Sequence, residues 1–268
     1  MSKITINKLK IYYEIKGNGN KTIVFIHGNS LSSNLFNNQF KDNKLLNSYK
    51  LIRFDLPGFG KSEFASDTKT YSLPSFAEVF VELYKQLEIS NAVLVGNSMG
   101  GHIILEALDS LPDVKGVLIN GAPPFGLPPA DDLFLPNPGV PLFFKGKHTA
   151  EELDILAKSM LKDVKFTEQV KDEIKKSDPA FRDAWLPNSQ TIIPKDEIEI
   201  VRNTNIPMAV VHGNNDELVN FDYLKKLPFK TLWENKIFVI PEAGHLPFLE
   251  QPEIYNRYLL DFCEQVMI

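Results

Sequence analysis

Short apolar runs recur along the first 120 residues at the spacing of buried strands, and stretches of helical period separate them. Thr22-Ile23-Val24-Phe25-Ile26 is apolar after its first position, which predicts a central strand covered on both faces. Tyr49–Phe54, Ala92–Val95 and Val114–Ile119 predict three more strands. Lys10–Ile15 predicts a strand that ends at Gly17-Asn18-Gly19-Asn20, a hairpin-type turn. Phe76, Val79, Phe80, Leu83 and Leu87 share one face of a helix over Ser75–Leu87, and Gly101–Leu108 continues a second helical segment. This βαβα order predicts a parallel sheet with helices on both faces.

The pattern changes after Gly121-Ala122-Pro123-Pro124. Residues 125 to about 145 are rich in proline and large apolar side chains. Thr149-Ala150-Glu151-Glu152 then has the form of a capping box opening a helix to Leu161, and Asp178-Pro179 that of an N-cap followed by proline. Strand patterns resume at Met208–His212 and Lys236–Ile240, and a final helix is expected over Pro252–Val266. The expected organisation is a core of residues 1–125 and 201–268, with a helical cap at 126–200 inserted over the sheet.

Composition narrows the function classes. The net charge is −5, and the 29 lysines and arginines are scattered, which argues against a nucleic-acid partner. Cys263 is the sole cysteine, so no internal disulfide can form and a reducing compartment is expected. Met1–Asn7 lacks the apolar run of a signal peptide, and no window has the length of a membrane helix. A cytoplasmic monomer or homodimer with a small-molecule substrate and no cofactor is expected. No histidine pair has metal-ligand spacing. Gly60-Lys61-Ser62 ends like a phosphate-binding loop, but Asp55 stands where its first glycine should be.

The most informative residues are Gly96-Asn97-Ser98-Met99-Gly100. They match G-x-S-x-G and lie between an expected strand and an expected helix, the context that lifts a serine out of the backbone. An alcohol nucleophile needs a base, and the base needs an acid to orient it. Beyond Ser98, the strand at 208–212 ends in Gly213-Asn214-Asn215-Asp216-Glu217, and the strand at 236–240 ends in Pro241-Glu242-Ala243-Gly244-His245. His245 is therefore the candidate base and Asp216 the candidate acid, with Glu217, Asp222 and Glu242 as rivals. The oxyanion donors are assigned to the N–H groups of Met99 and Asn29, the latter in the loop His27-Gly28-Asn29-Ser30. His27 is expected to hydrogen-bond backbone, His212 to be structural and His148 to lie on the surface. His102, one turn past Ser98, is expected to pack, with a place on the pocket wall as the alternative. Phe134, Phe144, Leu156, Trp185 and Leu246 are candidate substrate contacts. Packing between cap and sheet is the competing role for the cap members of that group.

These residues carry a resemblance. His27-Gly28-Asn29-Ser30, Asp55-Leu56-Pro57-Gly58-Phe59-Gly60-Lys61-Ser62, Gly96–His102 and Ala243-Gly244-His245 resemble the α/β-hydrolase family over nearly the whole chain outside 126–200. The resemblance implies a mostly parallel eight-stranded sheet with the cap after the sixth strand. A serine at 98 separates the chain from haloalkane dehalogenases and epoxide hydrolases, which carry aspartate there. Ile119–Pro124 and Leu232–Phe248 further resemble the metal-independent N-acyl-homoserine-lactone lactonases of this fold. Those enzymes carry glutamate where Asp216 stands and tryptophan where Met99 stands. The likeness implies lactone ring opening. A general carboxylesterase and a slow-turnover ligand receptor are the alternatives.

Overall fold

The computed structural model describes residues 2–268. Eight strands form one sheet: β1 Ser2–Ile6, β2 Leu9–Lys16, β3 Thr22–Ile26, β4 Lys50–Phe54, β5 Ala92–Asn97, β6 Val114–Asn120, β7 Met208–Gly213 and β8 Phe238–Ile240. Their spatial order is β1-β2-β4-β3-β5-β6-β7-β8. The first two strands run antiparallel to their neighbours, and every pair from β4 to β8 is parallel. This is the fold that the resemblance implied.

The edge corrects one expectation. β2 pairs with β1 and β4 and not with β3, so Gly17–Asn20 is a crossing between non-adjacent strands and not a hairpin. The hairpin lies one strand earlier, where Asn7 and Lys8 both take positive φ. Two such residues make the tight turn whose twist matches its flanking strands.

Alternation along the central strands divides the core between two faces. Val24, Ile26, Ile52, Phe54 and Leu94 pack against helices α2 (Leu73–Gln86) and α3 (Met99–Ala107). Ile23, Phe25, Leu51, Val93 and Val95 pack on the other side, with Leu45 of α1 (Asn43–Ser48) and Tyr255, Leu259 and Phe262 of α10 (Pro252–Val266). Burial on both faces explains why these strands read as continuous apolar runs.

Between β6 and β7 lie α4 (Ala150–Ser159), α5 (Thr167–Lys175), α6 (Pro179–Ser189) and α7 (Glu197–Asn203). The Thr149 capping box is formed, and Asp178 caps α6 by accepting from the Ala180 N–H. The boundary expected at residue 200 falls inside α7, which packs on α3. Short helices α8 (Phe221–Leu224) and α9 (Pro247–Glu250) complete the set. Among the described residues no helix is long and apolar enough to cross a membrane.

Candidate active site

The turn from β5 into α3 places Ser98 at φ 51°, ψ −124°, a conformation that residues with a Cβ rarely adopt. The neighbouring glycines are required by space. A Cβ at Gly96 would lie 2.5 Å from the Gly101 nitrogen, and one at Gly100 would collide with the Ile26 carbonyl. Serine at a helix N-terminus usually caps it, but Ser98 Oγ makes no cap bond here. The hydroxyl is instead presented to a cavity of about 580 Å³ that His245 also borders.

His245 and Asp216 arrive from the ends of β8 and β7. His245 Nδ1 lies 2.9 Å from Asp216 Oδ2, and both side chains are buried. The other carboxylate oxygen accepts the Leu218 N–H at 2.9 Å and the Val219 N–H at 3.2 Å. Burial opposes ionisation of Asp216, but His245, His212 and the Leu218 N–H together hold its carboxyl below the usual range. The rivals face away: Glu217, Asp222 and Glu242 are exposed, and Asp222 pairs with Lys225. Among the described residues no protein group hydrogen-bonds Ser98 Oγ. At such sites the bond to the base commonly tightens only around a substrate.

Asn29 and Met99 border the cavity beside Ser98. Among the described residues no protein acceptor takes either N–H, so both are available to an oxyanion. Asn29 Oδ1 accepts from Ser30 Oγ at 2.7 Å, and Ser30 Oγ accepts from Arg182 of α6 at 3.3 Å. The loop carrying Asn29 is thereby tied to α6.

The loop carrying His245 is fastened by Glu250, which the sequence reading did not single out. Its buried carboxylate accepts N–H groups from Gly244, Lys162 and Asp163, each at 2.7 Å. Burial pushes this carboxyl up, against the pull of the three donors. The His245 N–H also donates to Met160 O at 3.0 Å. Glu250→Ala leaves those three donors without their acceptor, and urea unfolding is expected to show a loss of about 2–3 kcal/mol. A loss near zero would mean that these N–H groups are satisfied without the carboxylate.

Phe134, Phe144 and Trp185 border the cavity, as do Phe125, Leu127, Val140 and Ile193. Leu156 and Leu246 do not. Both are fully buried among Met160, Val170, Ile174 and Phe248, where α4 and α5 pack against the segment after β8. Their apolar character serves packing, so their expected substrate contact is corrected.

The remaining histidines separate by environment. His27 Nδ1 contacts Gly28 O at 2.9 Å and Nε2 accepts the Leu56 N–H at 3.1 Å, both backbone partners. His212 stacks on Phe221 at 4.7 Å between ring centroids. His148 lies at the surface but is partly covered, with Nε2 2.8 Å from Leu142 O. His102 borders the cavity and pairs with Glu197, a partner 95 residues away that no local pattern could reveal. Asp55 accepts from the Ser33 and Lys61 N–H groups at 2.8 Å, so the Gly60-Lys61-Ser62 loop wraps a buried carboxylate.

Comparison with known proteins identifies similar chains and folds. The profile of the alpha/beta hydrolase family matches residues 23–257. An uncharacterized hydrolase of Bacillus subtilis, YugF, is 26% identical, over 98% of this chain and 97% of its own. A 2-hydroxy-6-oxononadienedioate/2-hydroxy-6-oxononatrienedioate hydrolase of Paraburkholderia phymatum is 28% identical, over 96% of this chain and 92% of its own. Among solved structures, the N-acyl homoserine lactonase AidH complexed with N-butanoyl homoserine superposes with a TM-score of 0.92. It is 30% identical, and the match covers 98% of this chain and 97% of that one. An AidH variant complexed with N-hexanoyl homoserine lactone gives 0.93 at 29% identity, over 99% and 98%.

Proposed function

This chain belongs to the alpha/beta hydrolase family, and on that premise we propose that it opens the ring of N-acyl homoserine lactones through Ser98, His245 and Asp216. The observation that carries the reading is the convergence of a strained, uncapped serine and a buried His–Asp pair on one apolar cavity. The likeness to AidH supports the choice of lactone.

In this reading His245 Nε2 takes the Ser98 proton as Oγ attacks the lactone carbonyl. The Asn29 and Met99 N–H groups hold the resulting oxyanion. When the tetrahedral intermediate collapses, the ring C–O bond breaks and His245 protonates the leaving alkoxide. The alcohol remains tethered to the acyl group, so water must compete with re-closure. His245 then deprotonates water, which attacks the acyl-enzyme and releases the ring-opened acid with Ser98 restored. One lactone and one water give one hydroxy acid. Asp216 keeps the Nδ1 proton in place throughout. The lone, buried Cys263 fits a reducing, cytoplasmic setting.

The test follows ring opening by mass with the wild type and Ser98→Ala on short- and long-chain acyl homoserine lactones. Serine-dependent opening supports the reading. Serine-dependent cleavage of aryl esters alone would replace it with a general carboxylesterase. The cavity wall of Val140, Phe143, Phe144 and Ile193 predicts a chain-length trend. Each added methylene is expected to raise kcat/KM about three- to fourfold until the cavity is filled. A flat series would place the acyl chain outside it.

A further inference from the structure

A second histidine–carboxylate pair faces the cavity, and the proposed mechanism does not use it. His102 projects from α3 one turn beyond Ser98, and side chains on a helix lean toward its N-terminus. His102 and Ser98 line the same cavity. Its Nδ1 lies 2.8 Å and 3.0 Å from the two carboxylate oxygens of Glu197. Glu197 is fully buried, and its Oε2 also accepts the Phe125 N–H at 3.3 Å. The carboxylate fixes the proton on Nδ1 and the plane of the ring, while Phe125 braces the ring at 5.3 Å between centroids. Among the described residues Nε2 has no protein partner, and the residue borders the cavity. A polar ring held with this much support at the border of an apolar cavity is suited to one polar group of a ligand.

We propose that His102 is a specificity-determining residue that binds a secondary amide next to the reacting carbonyl. The assignment rests on the lactonase reading. In an N-acyl homoserine lactone the amide nitrogen is two bonds from the carbonyl carbon that Ser98 attacks. One turn of helix is about 5.4 Å, which suits a ligand spanning both groups. A secondary amide also matches the ring in either protonation state. A bare Nε2 accepts its N–H, and a protonated Nε2 donates to its C=O. A simple lactone or alkyl ester offers no such pair and leaves Nε2 unused.

The test uses two matched substrate pairs with the whole 268-residue chain. One pair is an N-acyl homoserine lactone and an alkyl γ-lactone of equal chain length. The other is the aryl ester of an N-acylglycine and that of a plain alkanoate. The readout is the amide preference, the ratio of kcat/KM within a pair. His102→Leu is expected to lower this ratio about tenfold, as a site built around a hydrogen bond loses its partner. That change leaves Glu197 buried and alone, so His102→Leu/Glu197→Leu is made in parallel and should lower the ratio equally. If both rates of a pair fall together and the ratio stays, His102 is only structural and the proposal is overturned. Wild-type cleavage of the ester pair without any lactone overturns the lactonase reading alone, and the ester ratio still decides the role of His102. Cleavage of neither pair by the wild type overturns both.

Discussion

Ser98→Ala is expected to lower kcat/KM by about 10⁴-fold or more on any substrate the protein cleaves, with the fold unchanged. The alanine removes the Ser98 hydroxyl from the cavity border. It keeps the Cβ, so the backbone at φ 51° is under the same constraint in both proteins. Thermal unfolding should therefore coincide. Ser98→Gly separates chemistry from strain. Glycine adopts this φ without a Cβ penalty, and relief of the turn is expected to stabilise the chain by about 1 kcal/mol. For a chain of this size that is a rise in Tm of about 2–4 °C. Both variants should be inactive, and only the glycine variant should melt later. Substantial activity in Ser98→Ala would remove serine chemistry from the site. A glycine variant that melts with the wild type would mean that the elbow stores no strain.

Strain at Ser98 is legible in the sequence because a strand, two glycines and a helix surround it. Asp216 and His245 were legible for the related reason that each follows an apolar run. In a parallel sheet such positions meet at the carboxyl edge. Contacts made across the fold were not. Lys10–Ile15 was read with a hairpin at Gly17–Asn20, although its strand pairs with β4, whose residues lie 35 or more positions further on. The turn residues state that the chain bends and not which strand lies alongside. β1 escaped because an edge strand of five residues shows only a short alternation. The cap illustrates the same limit. Phe134 and Leu156 are both apolar, and pattern alone suits both to the pocket. One borders the cavity while the other, on α4, is sealed among Met160, Val170 and Ile174. Periodicity reports burial and does not distinguish a packed face from a ligand-binding one. Glu250 and Glu197 carry no local signal, since their partners come from other segments.

Asp216→Asn is expected to lower kcat about 10³- to 10⁴-fold while KM changes little. The asparagine can keep the Leu218 and Val219 N–H bonds through its oxygen, so the loop should hold. Its amide nitrogen then faces His245 Nδ1 and donates where the carboxylate accepted. The imidazole proton is driven to Nε2, where the ring can no longer take a proton from Ser98. Glu217→Gln changes an exposed carboxylate that points away, and its rates should stay within about twofold of the wild type. A large loss in Glu217→Gln with an active Asp216→Asn would move the acid by one residue. Stability supplies an independent reading. The Asp216 carboxyl is held below its ordinary range in the fold, so its ionisation stabilises the native state above the unfolded pKa of about 3.9. That contribution is lost as pH falls through the lower, folded value. The stability gap between wild type and Asp216→Asn, measured by urea unfolding, should therefore be largest near neutrality and narrow below about pH 4. A gap that widens on acidification would mean that the carboxyl is neutral in the fold. The catalytic role assigned to its charge would then fail with it.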